Sequence, residues 1–273
     1  VTRPKRSLSQ NFLVDHNIRR KLIEALDARP HDVVLEVGPG HGELSELLVG
    51  RVRRLVLVEK DDRLAPELTR RWGDRDDVVV VHGDALEEDL SALVAGDLAD
   101  GPGLRLISNL PYAITSPLIF RLLDVTPRAD RIVVLVQEEV ARRVTAGPGG
   151  KEYGALTVGV QTQARAELAF SVSRTAFRPV PGVDSAALVL EPVEGPTGAA
   201  RERLRELVRA AFSRRRKQLR TILRKAPDYL LETGRAEEVL DGLDIDPRAR
   251  PETLSPGQFV ALAERLDGVS RGR

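Results

Sequence analysis

The 273-residue chain has no cysteine, so disulfides and thiolate metal sites are excluded and a reducing compartment is indicated. Its four histidines, His16, His31, His41 and His82, show no HxxxH spacing, and no metal is expected. No apolar run approaches the roughly 20 residues of a membrane span, so no membrane association is expected. The basic opening, VTRPKRSLSQNF, has no apolar segment behind it and does not read as a secretory signal; the cytoplasm is the expected location. No internal repeat or low-complexity tract occurs. Aromatic residues make up only 4%, and the net charge is +1.

What is present fits a globular chain: 42% apolar and 30% charged residues, with enough length for one large domain or two. The small net charge hides a local excess. From Arg201 to Lys225, eleven basic residues stand against Glu202 and Glu206 alone. A solvated helix face mixes both signs, whereas this stretch points to a polyanion partner.

The first half alternates strand-like and helix-like patterns. DVVLEV (32–37), LVLVEK (55–60), VVVVHGD (78–84), LRLIS (104–108) and RIVVLVQ (131–137) read as strands. Near-continuous Val/Leu/Ile runs indicate burial on both faces, as in a parallel sheet covered by helices. Helical patterns start at Glu43 and run from Asp62 to about Trp72. The order predicts a doubly wound α/β fold. ELAFSV (167–172) and SAALVLEPV (185–193) have no helix-length stretch between them and suit an antiparallel pair. The Pro/Gly-rich break 191–200 divides the chain into domains 1–195 and 196–273. The second reads as helical over 201–225, 228–233, 235–241 and 255–266. The glycine-rich loop 145–154 reads as mobile.

Three features fall after successive strands, at the sheet edge where open α/β folds bind ligands. Gly38, Gly40 and Gly42 follow the first strand in VGPGHGEL; the dinucleotide fingerprint GxGxxG would need glycine where Glu43 stands. Glu59 ends the second strand, able to accept from two ribose hydroxyls or to pair with Lys60. Asp84 follows the third, able to accept an adenine amino group or to cap a helix. Their coincidence describes an adenosine pocket. After the fourth strand comes NLPY: Pro111 cannot join a sheet ladder and pushes Leu110 out of the helical region, so Asn109 to Tyr112 forms a stiff turn.

With these motifs the chain resembles the ribosomal RNA adenine dimethyltransferases, class I enzymes dependent on S-adenosyl-L-methionine. The resemblance rests on SQNFLVD (9–15), LEVGPGHGEL (35–44), VEKD (58–61), GDAL (83–86), NLPY (109–112), FRPVPGVDSA (177–186) and AFSRRRKQLRTIL (211–223). It implies a Rossmann-like methyltransferase domain followed by a small C-terminal all-α domain. It also implies that Gln10, Asn11 and Leu13 close over S-adenosyl-L-methionine, that Gly38 and Gly40 line its methionine portion, and that Glu59 holds the ribose. Asp84 with Ala85 would read the adenine. Asn109 and the Leu110 carbonyl would accept the hydrogens of the target N6 amine. Pro111 would stiffen that turn, Tyr112 would stack on the extruded base, and Phe177 would cover its other face, although a core phenylalanine is the plainer reading of FRPVP.

Arg214, Arg215, Arg216, Lys217 and Arg220 would lie on RNA phosphates. The expected partner is 16S rRNA in a small-subunit precursor, dimethylated at two adjacent adenosines of its 3′-terminal hairpin. Nothing demands more than a monomer. Two alternatives remain: a 23S rRNA methyltransferase of the erythromycin-resistance type, and an RNA-binding ribosome-assembly factor with secondary catalysis. Two departures stand out. Ala113, Ile114 and Thr115 follow NLPY where the family commonly has Asn-Ile-Ser. Ser9 stands where the small-subunit branch usually has glycine.

Overall fold

The computed structural model describes residues 10–98, 101, 103–226, 229–232 and 234–270; Arg3, Lys5, Arg6 and Ser9 lie outside the described residues. The chain divides into two compact units. One holds the residues up to Ala141 with Ala166–Pro192; the other holds Arg142–Arg165 with the residues from Val193 on.

The first unit begins with β1 (Phe12–Leu13) and α1 (His16–Leu26). Asp15 starts α1 by accepting the amides of Asn17 and Ile18 at 2.9 and 3.1 Å. Five strand–helix steps follow: β2 (Val33–Val37) with α2 (Ser45–Leu48), β3 (Arg54–Glu59) with α3 (Leu64–Trp72), β4 (Val78–His82) with α4 (Leu90–Ala95), β5 (Leu104–Asn109) with α5 (Thr115–Leu123), and β6 (Arg131–Gln137) with α6 (Glu138–Thr145). After α7 (Ala155–Gln161) come β7 (Ala164–Val172), β8 (Phe177–Arg178) and β9 (Ser185–Pro192).

Seven strands form one sheet in the order β4-β3-β2-β5-β6-β9-β7. β2 to β6 pair in parallel and β9 runs antiparallel to β6. The apolar runs form these central strands because both faces are covered: every residue of β2 is buried, and β3, β5 and β6 are buried through their middles. β7 is the sheet neighbour of β9. β1 and β8 form a separate two-stranded ladder, with Leu13 opposite Phe177.

In the second unit the run 201–225 is two helices, α8 (Gly198–Ser213) and α9 (Leu219–Lys225), rather than one. At the break, the first amides of α9, Leu219 and Arg220, donate to the carbonyls of Ala249 and Pro247 at 2.8 and 3.2 Å, which satisfies donors that a helix start leaves free. α10 (Arg235–Asp241) and α11 (Pro256–Ser270) follow. The helix expected at 228–233 is not formed over 229–232, where Leu230 takes φ +46°.

The core of this unit uses Leu204, Leu207, Val208 and Ala211, the i, i+3, i+4, i+7 stripe of α8, with Phe259 and Leu262 of α11. Residues 142–165, from the second half of α6 through α7 to the first two residues of β7, group with this unit, whereas the sequence places the domain break near residue 195. Tyr153 is fully buried and donates its hydroxyl to the Leu254 carbonyl at 2.6 Å. Its burial pushes the phenol up to about 12. The glycine-rich loop is therefore tied down, and the Gly149 amide also donates to Glu252 at 2.6 Å. No helix among the described residues is long and apolar enough to cross a membrane.

Candidate active site

Sequential strands lie on one side of β2 and the next strand, β5, on the other, so the connections diverge at the C-terminal ends of these two strands. Ligands enter doubly wound sheets at such a point. The Ser108 hydroxyl clamps the two strands there, donating to the Val37 carbonyl at 2.6 Å. A pocket of about 200 Å³ opens at this edge. Gln10, Asn11 and Leu13 line it from the N-terminal side, and Gly38 and Gly40 line it from the turn after β2. Glu59, Asp84 and Ala85 line it at the ends of β3 and β4, and Asn109, Leu110, Pro111 and Tyr112 close it after β5. Every residue assigned to the cofactor from sequence thus borders one cavity.

The glycine turn is shaped by contact as well as by ligand access. Gly40 has φ +64°, and a Cβ there would sit 3.1 Å from the Phe12 ring. Gly42 has φ +84°, and its Cβ would collide with the Trp72 ring, so the third glycine packs the loop on α3. The helix expected from Glu43 shrinks to the single turn α2.

Glu59 is buried, not paired with Lys60. Its two carboxylate oxygens accept the amides of Gly40 at 3.0 Å and Asp61 at 2.8 Å. Burial raises its pKa, and the amides of Asp61, Gly40 and Lys60 oppose the rise. A carboxylate offers about four lone-pair sites, so these amides do not exhaust its acceptor capacity. Asp84 takes the capping role, one of the two readings its position allowed, and it also holds Lys60. Oδ1 accepts the Leu86 amide at 3.0 Å, capping the turn after β4, and Oδ2 pairs with the Lys60 ammonium. Burial pushes the Asp84 carboxyl up, but the Lys60 hydrogen bond and the Leu86 amide hold it below its ordinary value.

Sequence reasoning missed Glu36. It stands inside β2 with its carboxyl buried at the pocket wall, accepting the Ser45 hydroxyl at 2.7 Å. Burial lifts it to about 8; the Ser45 bond opposes the rise, and the charges of Glu43 and Glu59 add to it. An acid in the apolar run VVLEV was the available signal, since a buried carboxyl needs a reason. Among the described residues, the pocket is lined by four carboxyl side chains, Glu36, Glu43, Glu59 and Asp84, against one cation, Lys60. This excess of carboxyl groups over cations suits a ligand that donates hydrogen bonds, as the hydroxyl and amino groups of an adenosine compound do. No group of three or more His, Asp or Glu among the described residues is placed to hold a metal ion.

The NLPY turn is locked from both sides. Asn109 Nδ2 donates to the Asn11 carbonyl at 2.9 Å, which fixes the amide and leaves Oδ1 as an acceptor. The Leu110 amide donates to Leu135 at 3.1 Å. After Pro111 a short 3-10 turn, Tyr112–Ile114, leads into α5. Ala113 supplies no side-chain bond; instead Ile114 N and the Thr115 hydroxyl both reach the Pro111 carbonyl at 3.2 Å. Tyr112 is half-buried, its hydroxyl 2.7 Å from that of Ser185, and burial raises its pKa.

One predicted residue is placed differently, and another has a further partner. Phe177 does not line the pocket: it is fully buried in the core with Leu13, so its ring offers no face to a base here. Gln10 reaches the pocket wall, but its Nε2 donates to Asp61 at 2.9 Å, the same carboxylate that Arg63 holds.

In the second unit the basic cluster forms the turn between α8 and α9. Arg216 and Lys217 are exposed, whereas Arg214, Arg215 and Arg220 are half-buried. Arg220 donates to Gln218 at 3.0 Å and Arg214 to the Ser213 hydroxyl at 3.2 Å. Arg215 donates to the Gly150 carbonyl at 3.1 Å and lies 3.8 Å from Glu252, so part of its work is internal.

The ribosomal RNA adenine dimethylase family matches residues 1–267. The chain is 40% identical over 265 residues to the ribosomal RNA small subunit methyltransferase A of Geobacillus thermodenitrificans, covering 96% of this chain and 90% of the relative. It is 41% identical to the protein of that name from Geobacter metallireducens, covering 97% and 96%. A dimethyladenosine transferase structure from Plasmodium falciparum superposes with TM-score 0.77 at 25% identity, covering 95% of this chain and 98% of that one. The 23S rRNA methyltransferase ErmE gives 0.68 at 31%, covering 94% and 100%. With a match spanning nearly its whole length, the chain belongs to the ribosomal RNA adenine dimethylase family.

Proposed function

We propose that this protein transfers methyl groups from S-adenosyl-L-methionine to N6 of two adjacent adenosines in the 3′-terminal hairpin of 16S rRNA, acting in the cytoplasm on small-subunit precursors. The observation that carries the reading is the Asn109 amide. Its donor end is held by Asn11, which leaves its oxygen as an acceptor, and the residue lines the pocket that Glu59 and Asp84 also border.

When bound, S-adenosyl-L-methionine supplies an electrophilic methyl group. Glu59 would take the ribose hydroxyls on its remaining lone pairs, and Asp84 and Ala85 would face the adenine. The target amine is a weak nucleophile because its lone pair is delocalised into the ring. Asn109 Oδ1 and the Leu110 carbonyl accept its two hydrogens and turn that lone pair toward the methyl. Pro111 keeps these acceptors in place, so rate comes from positioning. Tyr112 offers the extruded base a stacking face worth roughly 1–3 kcal/mol. Arg216 and Lys217, the exposed members of the basic turn, take phosphates, with Arg214 and Arg220 beside them. One copy of the chain carries all these groups.

The small-subunit assignment is supported by the curated relatives at about 40% identity, which are named for that subunit. The resemblance to ErmE supports the large-subunit alternative at lower identity. The test incubates the protein and labelled cofactor with unmodified small subunits and, separately, with large-subunit RNA, then identifies nucleosides by mass spectrometry. N6,N6-dimethyladenosine at two neighbouring small-subunit positions is expected. Label chiefly in large-subunit RNA would reverse the assignment, and binding without label would favour the assembly factor.

A further inference from the structure

Lys60 and Asp84 follow neighbouring parallel strands. Glu59 stands opposite His82 in the β3–β4 ladder, so the residues just beyond face each other across the strand ends. Both line the pocket. Asp84 has one oxygen committed to the Leu86 amide and the other to the Lys60 ammonium. The side-chain exposures differ sharply, 56% for Lys60 and 15% for Asp84. The carboxylate belongs to the pocket wall, while the ammonium reaches it from solvent on a flexible stem.

We propose that Lys60 is a built-in competitor for the purine edge of the cofactor, setting both its affinity and its selectivity for a 6-amino group. The inference rests on the reading that this pocket holds an adenosyl compound. An adenine amino group donates a hydrogen bond and seeks Asp84 Oδ2, so it must share or displace the ammonium. A 6-oxo purine presents an acceptor there, which Asp84 repels and Lys60 attracts. With the lysine present, the site therefore discriminates between the two purines less sharply than the carboxylate alone would.

The pair is solvent-facing, so the effect is modest. Exposed ion pairs change equilibria by up to roughly fivefold. Removing the ammonium should tighten adenosyl binding by roughly two- to fivefold and weaken inosyl binding by a similar factor. An arginine should act in the opposite direction on the adenosyl ligand, because its planar fork can hold both the carboxylate and the position more firmly.

The experiment is calorimetric and needs no turnover. S-Adenosylhomocysteine and S-inosylhomocysteine are titrated into the full chain, Lys60→Met and Lys60→Arg. The expected result is tighter adenosyl binding by Lys60→Met, weaker adenosyl binding by Lys60→Arg, and an adenosyl-to-inosyl ratio that widens in Lys60→Met. Wild-type affinity for the adenosyl compound should also rise with salt, which screens the pair, while that of Lys60→Met stays flat. Weaker adenosyl binding by Lys60→Met would make Lys60 a ligand and overturn the proposal, as would an unchanged ratio. Failure of the wild-type protein to bind S-adenosylhomocysteine at all would instead overturn the cofactor reading beneath it.

Discussion

Glu36→Gln should make the first unit more stable at neutral pH, by an amount set by a proton. The Glu36 carboxyl is raised from 4.5 to about 8, first by burial. A group whose folded pKa lies above its unfolded value stabilises the fold fully below about pH 4.5, and that contribution is lost as the pH rises toward 8. Within this window the loss amounts to roughly 1.4 kcal/mol per pH unit, or about 3 kcal/mol by pH 7. Pocket water that solvates the ionised form would reduce it. Glutamine keeps an acceptor for the Ser45 hydroxyl and cannot ionise, so the variant should lack this slope. Trp72 is the only tryptophan and lies in the core of the first unit, so its fluorescence reports on that unit without requiring the whole chain to unfold in one step. Urea midpoints at pH 5, 6, 7 and 8 should coincide near pH 5 and diverge steadily above it, the variant being higher. Parallel profiles across this range would refute the argument, because the carboxyl would then titrate alike in the folded and unfolded chains.

Asn109→Ala should lower single-turnover methyl transfer on the order of 10²-fold, as removal of one preorganised hydrogen-bonding partner does elsewhere; transfer at the wild-type rate would exclude its acceptor role. Tyr112→Ala should lose stacking worth roughly 1–3 kcal/mol, whereas Tyr112→Phe, which gives up only the Ser185 bond, should remain near wild type in target-RNA affinity. Gly42→Ala should cost roughly 1–3 kcal/mol in urea unfolding followed through Trp72, since the new methyl runs into that ring. Reversing the charge of Arg216 and Lys217 should reduce the slope of log affinity against log salt by about one for each phosphate no longer neutralised. Arg215→Glu should in addition destabilise the second unit, because Gly150 and Glu252 lose their partner; an unaltered unfolding midpoint would return Arg215 to the RNA face alone.

The sheet was legible because its strands are nearly pure Val/Leu/Ile runs; β2 and β6 begin and end within a residue of the patterns that announced them. Glu59 and Asp84 could be found because chain order and sheet edge coincide in a parallel fold. β1 and β8 could not, since two residues carry no periodicity. The grouping of 142–165 with the second unit rests on long-range packing: Tyr153 and Val158 sit in that unit's core, and Tyr153 reaches the Leu254 carbonyl 101 residues away, which no local pattern encodes. Phe177 was ambiguous for a related reason. An aromatic before a proline-stiffened segment suits a core or a lid equally, and the pairing with Leu13 across β1 and β8 decides for the core here.

The Asn109 amide joins these threads. It connects residues 98 positions apart, giving its hydrogen to the Asn11 carbonyl while keeping its oxygen as an acceptor. A carboxylate in its place would accept from the target amine equally well, but it has no hydrogen for Asn11, and the two oxygens would repel. A hydroxyl could do both on one atom, though it would then rotate between them. The side-chain amide has a fixed donor and a fixed acceptor at its two ends, so the bond to the N-terminal segment also sets the direction of the Oδ1 acceptor. The same bond ties the N-terminal segment to the NLPY turn. For the proposed transfer, whose rate would rest on alignment and not on a charged base, the Asn109–Asn11 bond would hold the acceptor in its direction, and an Asn109→Asp variant, which has no hydrogen for Asn11, should lose that hold.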